Sequence, residues 1–105
     1  MGWFGLGSKT SVSAAEAREA LRGRAVLVDV REPHEWKAGH VAGALHIPLA
    51  KLQASITRIP KNTAVYVICQ SGMRSKRALA TLRTAGIQAK DVKGGMNAWN
   101  RMVEQ

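Results

Sequence analysis

Two hydrophobic rhythms alternate along the chain. Ala25-Val26-Leu27-Val28-Asp29-Val30 and Ala64-Val65-Tyr66-Val67-Ile68 are apolar runs without the alternation of a half-exposed strand. They predict strands buried on both faces, as in a parallel sheet. Outside them the apolar residues fall at helical spacing. Ser13-Ala14-Ala15-Glu16 is a capping box, with Ser at the N-cap and Glu three positions on. Ala14, Ala17 and Leu21 then share one face, which predicts a helix to about Arg22, ended by Gly23. A short strand is expected before it, at Thr10-Ser11-Val12.

Glu32-Pro33-His34-Glu35-Trp36-Lys37 places proline and acids in a first turn, so a short helix is expected up to Gly39. Ala44-Leu45-His46-Ile47-Pro48 reads as a short strand closed by its proline. Leu49 to Ile56 reads as a short helix with Leu52 and Ile56 facing inward. After the strand that ends at Ile68, a helix is expected from about Ser75 to Thr84. Ser75, Ala78, Leu79 and Leu82 line one face, and Gly86 is the C-cap. Gln88 to Val92 is a last strand, Gly94-Gly95 a tight turn, and Met96 to Val103 a final helix carrying Trp99. Strands and helices in alternation predict an α/β domain, with a mainly parallel central sheet and helices on both faces. Residues 10–105 read as one domain and residues 1–9 as a tail. Trp3, Phe4 and Leu6 in that tail are expected to pack on the sheet or be disordered, with a small apolar patch for a partner or membrane surface as the alternative.

Composition narrows the class. A chain of 105 residues is one small domain, and an apolar fraction of 46% is that of a folded protein. No apolar run is long enough to span a bilayer. The start lacks the basic region and cleavage site of a secretory signal, and Leu6 stands where myristoylation wants Ser or Thr. The single cysteine, Cys69, excludes a disulfide within these residues. A reducing compartment, the cytoplasm, is therefore expected. The net charge is +9 and uneven: residues 58–105 hold nine Lys and Arg against Asp91 and Glu104 alone. A positive field favours anionic ligands and thiolates. For most of these residues a solvated basic surface suffices as explanation. No nucleic-acid-binding motif accompanies the charge, and nucleic acid remains a weak alternative.

The candidate chemistry sits where Cys69 ends a buried strand. Ligands of open α/β sheets bind at such carboxyl ends, and Asp29 lies at another. A thiol followed by a loop and a helix start faces unpaired N–H groups and the positive end of the helix dipole. Gly72 allows the loop to curl, Arg74 adds a charge and two parallel donors, and Ser71 and Ser75 add hydroxyls. These make a cradle for one anion with sulfur at its base. Taken alone, a cysteine ending a buried strand is at least as often a small hydrophobe.

Cys69-Gln70-Ser71-Gly72-Met73-Arg74-Ser75 resembles the active loop of the rhodanese family, often written C-R-S-G-x-R-S. Leu27-Val28-Asp29-Val30-Arg31-Glu32, Glu35-Trp36, Gly39-His40-Val41-Ala42-Gly43-Ala44 and Ile47-Pro48 are similar to its N-terminal signature. Gly94-Gly95-Met96-Asn97-Ala98-Trp99 is similar to its C-terminal one. The likeness runs from about Ser11 to Arg101. It implies a single-domain rhodanese fold and a thiosulfate:cyanide-type sulfurtransferase. Cys69 would take sulfur from a small anionic donor such as thiosulfate, carry it as a persulfide, and yield it to cyanide or a thiol. The amides from Gln70 to Ser75, Met73 included, would cradle the anion, with Arg74 as substrate clamp. No cofactor and no metal are implied; three scattered His with one Cys have no metal-ligand spacing. An alternative is a persulfide carrier served by a partner protein, and the basic charge would then suit an acidic partner.

Gln70 departs from the pattern, because many members have Arg there. One positive charge beside the thiol is lost, which bears on the use of thiosulfate, and Lys76 and Arg77 compensate if they face the mouth. The spacing Cys69 to Arg74 is C-x4-R, and Ile68 precedes the cysteine. Phosphatases of the same fold use a longer C-x5-R loop, usually with His before Cys, so phosphatase or arsenate-reductase chemistry ranks below sulfur transfer. Of the remaining residues, Arg31 is expected to pair with Glu35, and Asp29 to cap a turn or buttress Arg74. His40 is expected to be a scaffold residue, His34 and His46 surface or near-core, and Trp36 and Trp99 packing residues.

Overall fold

Parallel pairing of the two apolar runs sets the architecture. In the computed structural model, which describes residues 10–104, Val26–Asp29 (β2) pairs with Val65–Ile68 (β4) from Val26↔Val65 to Asp29↔Ile68. Both strands are buried because each face of the sheet is covered. Ala89–Val92 (β5) adds beside β4, and Ser11–Val12 (β1) beside β5. Leu45–His46 (β3) adds on the other side of β2. The sheet is all parallel, in the order β1-β5-β4-β2-β3.

Period-two alternation along these strands sorts the core into two halves. Leu27, Tyr66, Ile68 and Val92 point to the face covered by α1 (Ala14–Ala20) and α4 (Gly95–Val103), where they meet Ala17, Met96 and Trp99. Val28, Val65, Val67 and Cys69 point to the opposite face, against Ala78, Leu79 and Leu82 of α3 (Met73–Thr84). The expected α/β fold with helices on both faces is therefore present. Helix α2 (Pro33–Ala38) has no fully buried residue. No helix among the described residues is long and apolar enough to cross a membrane. The expected tail, residues 1–9, lies outside the described residues.

Several expectations shift. The helix expected over Leu49 to Ile56 is instead two 3₁₀ segments, Leu49–Lys51 and Gln53–Arg58, with Ser55 off helical geometry at φ −113° and ψ 15°. Leu49 and Leu52 are three apart, the repeat of the tighter helix, and Leu52 is fully buried while Ile56 is only half so. Helix α1 closes at Ala20, and Leu21–Arg24 forms a turn. Helices α3 and α4 begin one or two residues earlier than expected, at Met73 and Gly95.

The turn before α4 positions the cysteine loop. Gly94 and Gly95 are both left-handed, at φ 76° and 57°. The Met96 N–H donates to the Cys69 carbonyl at 2.8 Å, and the Asn97 N–H donates to the Gln70 carbonyl at 3.1 Å. Two first-turn amides of α4, which lack partners within their helix, are thus satisfied by the loop. The approach is so close that a Cβ on Gly95 would lie 2.3 Å from the Cys69 carbonyl oxygen. Gly43 is also left-handed, at φ 84°, but a Cβ there would meet nothing within 4 Å.

This contrast makes a test. Gly43→Ala should cost only the backbone strain, about 1–2 kcal/mol. Gly95→Ala should cost more, because main chain must move as well, by a further ~1–3 kcal/mol. Urea unfolding measures both, and equal losses would contradict a packing role for Gly95.

Candidate active site

Cys69 follows directly on β4 and is buried. The chain turns at Gly72, whose φ of 106° is open to glycine at little cost, and α3 begins at Met73. This curl brings the Gly72 N–H to 3.0 Å from Cys69 Sγ, where it donates to the sulfur. The first-turn amides of α3 have no acceptor within the helix, so its positive end lies beside the thiol. Ser71 and Met73 are exposed, Met73 by 76%.

Ser75 is fully buried and sits behind the sulfur, 3.5 Å from Sγ, with the thiol as donor when protonated. Its hydroxyl reaches the Gly72 carbonyl at 3.1 Å and Asp91 Oδ2 at 3.3 Å. Asp91 is buried too, and accepts from Ser11 through its other oxygen. Lys76 turns to this carboxylate at 3.9 Å, not to the mouth of the loop. Its charge is thus directed at Asp91 rather than set against the one missing at Gln70. Arg77 is exposed on α3.

Asp29 takes one of its two expected roles and caps a turn, accepting from the Arg31 N–H at 3.0 Å, but the expected Arg31–Glu35 ion pair is replaced. Arg31 pairs with Asp29, not Glu35: its Nε lies 2.9 Å from Asp29 Oδ1 and its Nη2 2.8 Å from Oδ2, all buried. The Gly39 carbonyl also accepts from Nη2 at 2.8 Å, and the Glu35 carbonyl from Nη1 at 3.3 Å. Glu35 pairs with Arg74 instead of Asp29 doing so. Two parallel bonds join Nη1 to Oε1 at 2.7 Å and Nη2 to Oε2 at 2.8 Å. Both forks of Arg74, expected to face substrate, are engaged within the chain. The cause is local backbone. Glu32 caps α2 in extended geometry, at φ −69° and ψ 155°, so Arg31 precedes the helix and is not on Glu35's face.

Arg74 remains within electrostatic reach of the thiol, and the Glu35 bonds raise its pKa further above the ordinary value. Those same bonds hold the Glu35 carboxyl at about 2, against an ordinary 4.5. Glu35 Oε1 also accepts from the Glu32 N–H at 2.9 Å, which ties the pair to the start of α2.

Gln70 replaces a charge with a bridge. Its Oε1 accepts from Arg31 Nη1 at 3.2 Å, and its Nε2 donates to Asn97 Oδ1 at 2.8 Å. An arginine there would set one guanidinium against another. Beyond Gln70, between α2 and α4, lies a cleft of about 550 Å³. His40, which lines it, stacks on Trp36 at 3.5 Å, and His46 stacks on the same indole at 4.6 Å. His40 Nδ1 is bonded to the Trp36 carbonyl and His46 Nε2 to the Arg31 carbonyl, which makes both imidazoles scaffold groups.

Sequence reasoning missed three site features: the Glu35–Arg74 pair, the buried Asp91 behind Ser75, and the docking of the loop on α4. Asp91 had a signal, since it is an acid two positions from Ala89 and so on the same, buried face of the strand.

The Glu35 shift fixes a pH window. A depressed carboxylate stabilises the fold fully above its unfolded value near 4.5, and the contribution fades as pH falls toward about 2. Glu35→Gln should therefore lose about 1 kcal/mol at neutral pH, a partly screened bidentate pair. The difference from the parent should vanish near pH 2. Urea unfolding across this range checks it, and a pH-independent difference would contradict the pairing.

Comparison with known proteins agrees with this geometry. The Rhodanese-like domain matches residues 13–102. YqhL of Bacillus subtilis (strain 168), described as uncharacterized, is 40% identical over 95 residues, which cover 90% of this chain and 75% of that protein. YrkF of the same organism, a putative sulfur carrier protein, is 34% identical over 79 residues, 74% of this chain and 43% of YrkF. The adenylyltransferase and sulfurtransferase MOCS3 of Arabidopsis thaliana is 32% identical over 113 residues, 90% of this chain but 24% of that protein. The chain thus spans less than half the length of the last two. Among solved structures, a rhodanese-related protein from Thermoplasma volcanium superposes with a TM-score of 0.81 at 32% identity, covering 88% of this chain and 91% of that one. Match, relatives and fold coincide over nearly the whole described chain: it belongs to the Rhodanese-like domain family.

Proposed function

We propose that this chain is a sulfurtransferase whose Cys69 carries sulfane sulfur as a persulfide. The observation that carries the reading is the Gly72 N–H donating to Sγ at the start of α3. Amide donors and a helix N-terminus favour a sulfur anion, whether thiolate or terminal persulfide. Membership of the Rhodanese-like domain family and relatives named for sulfur carriage or sulfur transfer support the same chemistry.

The cycle has two displacements. The Cys69 thiolate attacks the outer sulfur of a donor such as thiosulfate; a sulfur–sulfur bond forms, and sulfite leaves with the electron pair of the broken bond. The acceptor, cyanide or a thiolate, then attacks the outer sulfur, and the Cys69 thiolate leaves. Loop amides from Gln70 to Ser75 would hold the anion. Arg74, already tied to Glu35, contributes its field and fixes the loop, and would reach an anion directly only by leaving Glu35.

A second reading, a persulfide carrier loaded by a partner protein, is favoured by one observation. The two guanidiniums near the thiol, Arg31 and Arg74, are both neutralised by carboxylates, which weakens the case for a small inorganic dianion. Met73, exposed beside the exposed Lys76 and Arg77, would then meet an acidic partner.

Intact mass after treatment with thiosulfate or a polysulfide should rise by one sulfur and return on adding cyanide, and Cys69→Ala should gain none. An unchanged parent mass under every donor would contradict the persulfide. Thiocyanate production from thiosulfate at catalytic turnover favours the enzyme, and loading by protein persulfides alone favours the carrier.

A further inference from the structure

The cleft between α2 and α4 has no role in the cycle just described. It begins at Gln70, the residue after the cysteine, and at Met96, whose amide holds the Cys69 carbonyl. Its volume, about 550 Å³, is in the range of sites for organic molecules and far larger than a small inorganic anion requires.

Its chemistry is nearly neutral. The guanidinium and the carboxylate that line it, Arg31 and Glu35, are already bonded to Asp29 and Arg74, and two imidazoles, His34 and His40, complete the α2 wall, His40 bonded to the Trp36 carbonyl. Gln70 and Asn100 offer amides, while Ala38, Met96, Trp99 and Val103 offer apolar surface, and Val103 is 49% exposed at its edge. Such a wall gives an inorganic dianion no unpaired guanidinium, but it suits a body of amide and apolar groups.

The geometry points to this cleft as the subsite for the body of an organic thiol acceptor, a cysteine borne on an uncharged amide chain. The inference rests on the persulfide reading and deepens it. With the body in the cleft, the acceptor thiol gives its proton to solvent and its sulfur attacks the outer persulfide sulfur. The bond between the two sulfurs of the persulfide breaks, its electron pair returns to Cys69 Sγ, and the acceptor leaves as the new persulfide. No oxidant or reductant is consumed. Gln70, the lining residue next to the cysteine, has its amide held on both sides and is the point at which the cleft meets the loop.

The test loads Cys69 with sulfur, verifies the added mass, and then measures its release by three acceptors: cyanide, a blocked single cysteine, and a blocked neutral pentapeptide with one central cysteine. Ala38→Trp and Asn100→Trp fill the cleft from opposite walls, and both sites are exposed. In each variant the ratio of release by peptide thiol to release by cyanide should fall at least about tenfold. A fall for the peptide supports the amide-chain occupant; a fall for the single cysteine but not for the peptide overturns it. Loaded protein with both ratios unchanged in both variants overturns the cleft assignment alone. Protein that no donor loads overturns the persulfide reading and this one together.

Discussion

The contact between the cysteine loop and the first turn of α4 is the constraint on which the site depends. Two carbonyls of the loop, those of Cys69 and Gln70, accept from two amides of α4, and Gly95 allows the approach. Because these carbonyls point to α4, the peptide plane after Cys69 is fixed. The chain must then turn at Gly72, and that turn aims an amide at the sulfur. Two helices therefore cooperate at one loop. Helix α4 satisfies its orphan donors on the loop's oxygens, while α3 leaves its own beside the thiol.

The charges around the sulfur are arranged to be quiet. Four ionised side chains, Asp29, Arg31, Glu35 and Arg74, form two pairs, one buried and one part-buried. Buried single charges would be costly, and pairing removes that cost without giving the site a strong net field. What distinguishes the sulfur is then local: a helix end, one short amide contact, and Ser75 with Asp91 behind it. The excess positive charge of the chain lies on exposed residues such as Arg77 and Lys93, where it acts at range on partners.

Much of this was legible in the sequence, and the reasons are physical. The runs ending at Val30 and Ile68 could be read because a strand buried on both faces leaves little choice of residue type. Cys69 and Gly72 could be placed because a strand end followed by a glycine and a helix start has few geometries. The ion pairs could not. Arg31 and Glu35 are four apart, which suggests a helical pair, yet the extended backbone at Glu32 puts Arg31 outside the helix. Glu35 reaches Arg74 across 39 positions, a distance set by tertiary packing alone. The 3₁₀ character of residues 49–58 was hidden for a similar reason. Spacings of three and four both fit a short amphipathic helix, and tertiary packing selects between them.

Gln70 carries the sharpest lesson. As a letter in a motif it is a missing charge. In the fold its amide bridges Arg31 and Asn97 and lines the cleft between α2 and α4. The most direct measurement of the whole account is a crystal structure of the protein after treatment with a sulfur donor. Additional density about 2.05 Å from Cys69 Sγ, a sulfur–sulfur bond length, on the side of the loop amides, is the predicted result. Unmodified Sγ in protein of increased mass, with the sulfur on another group, would contradict it.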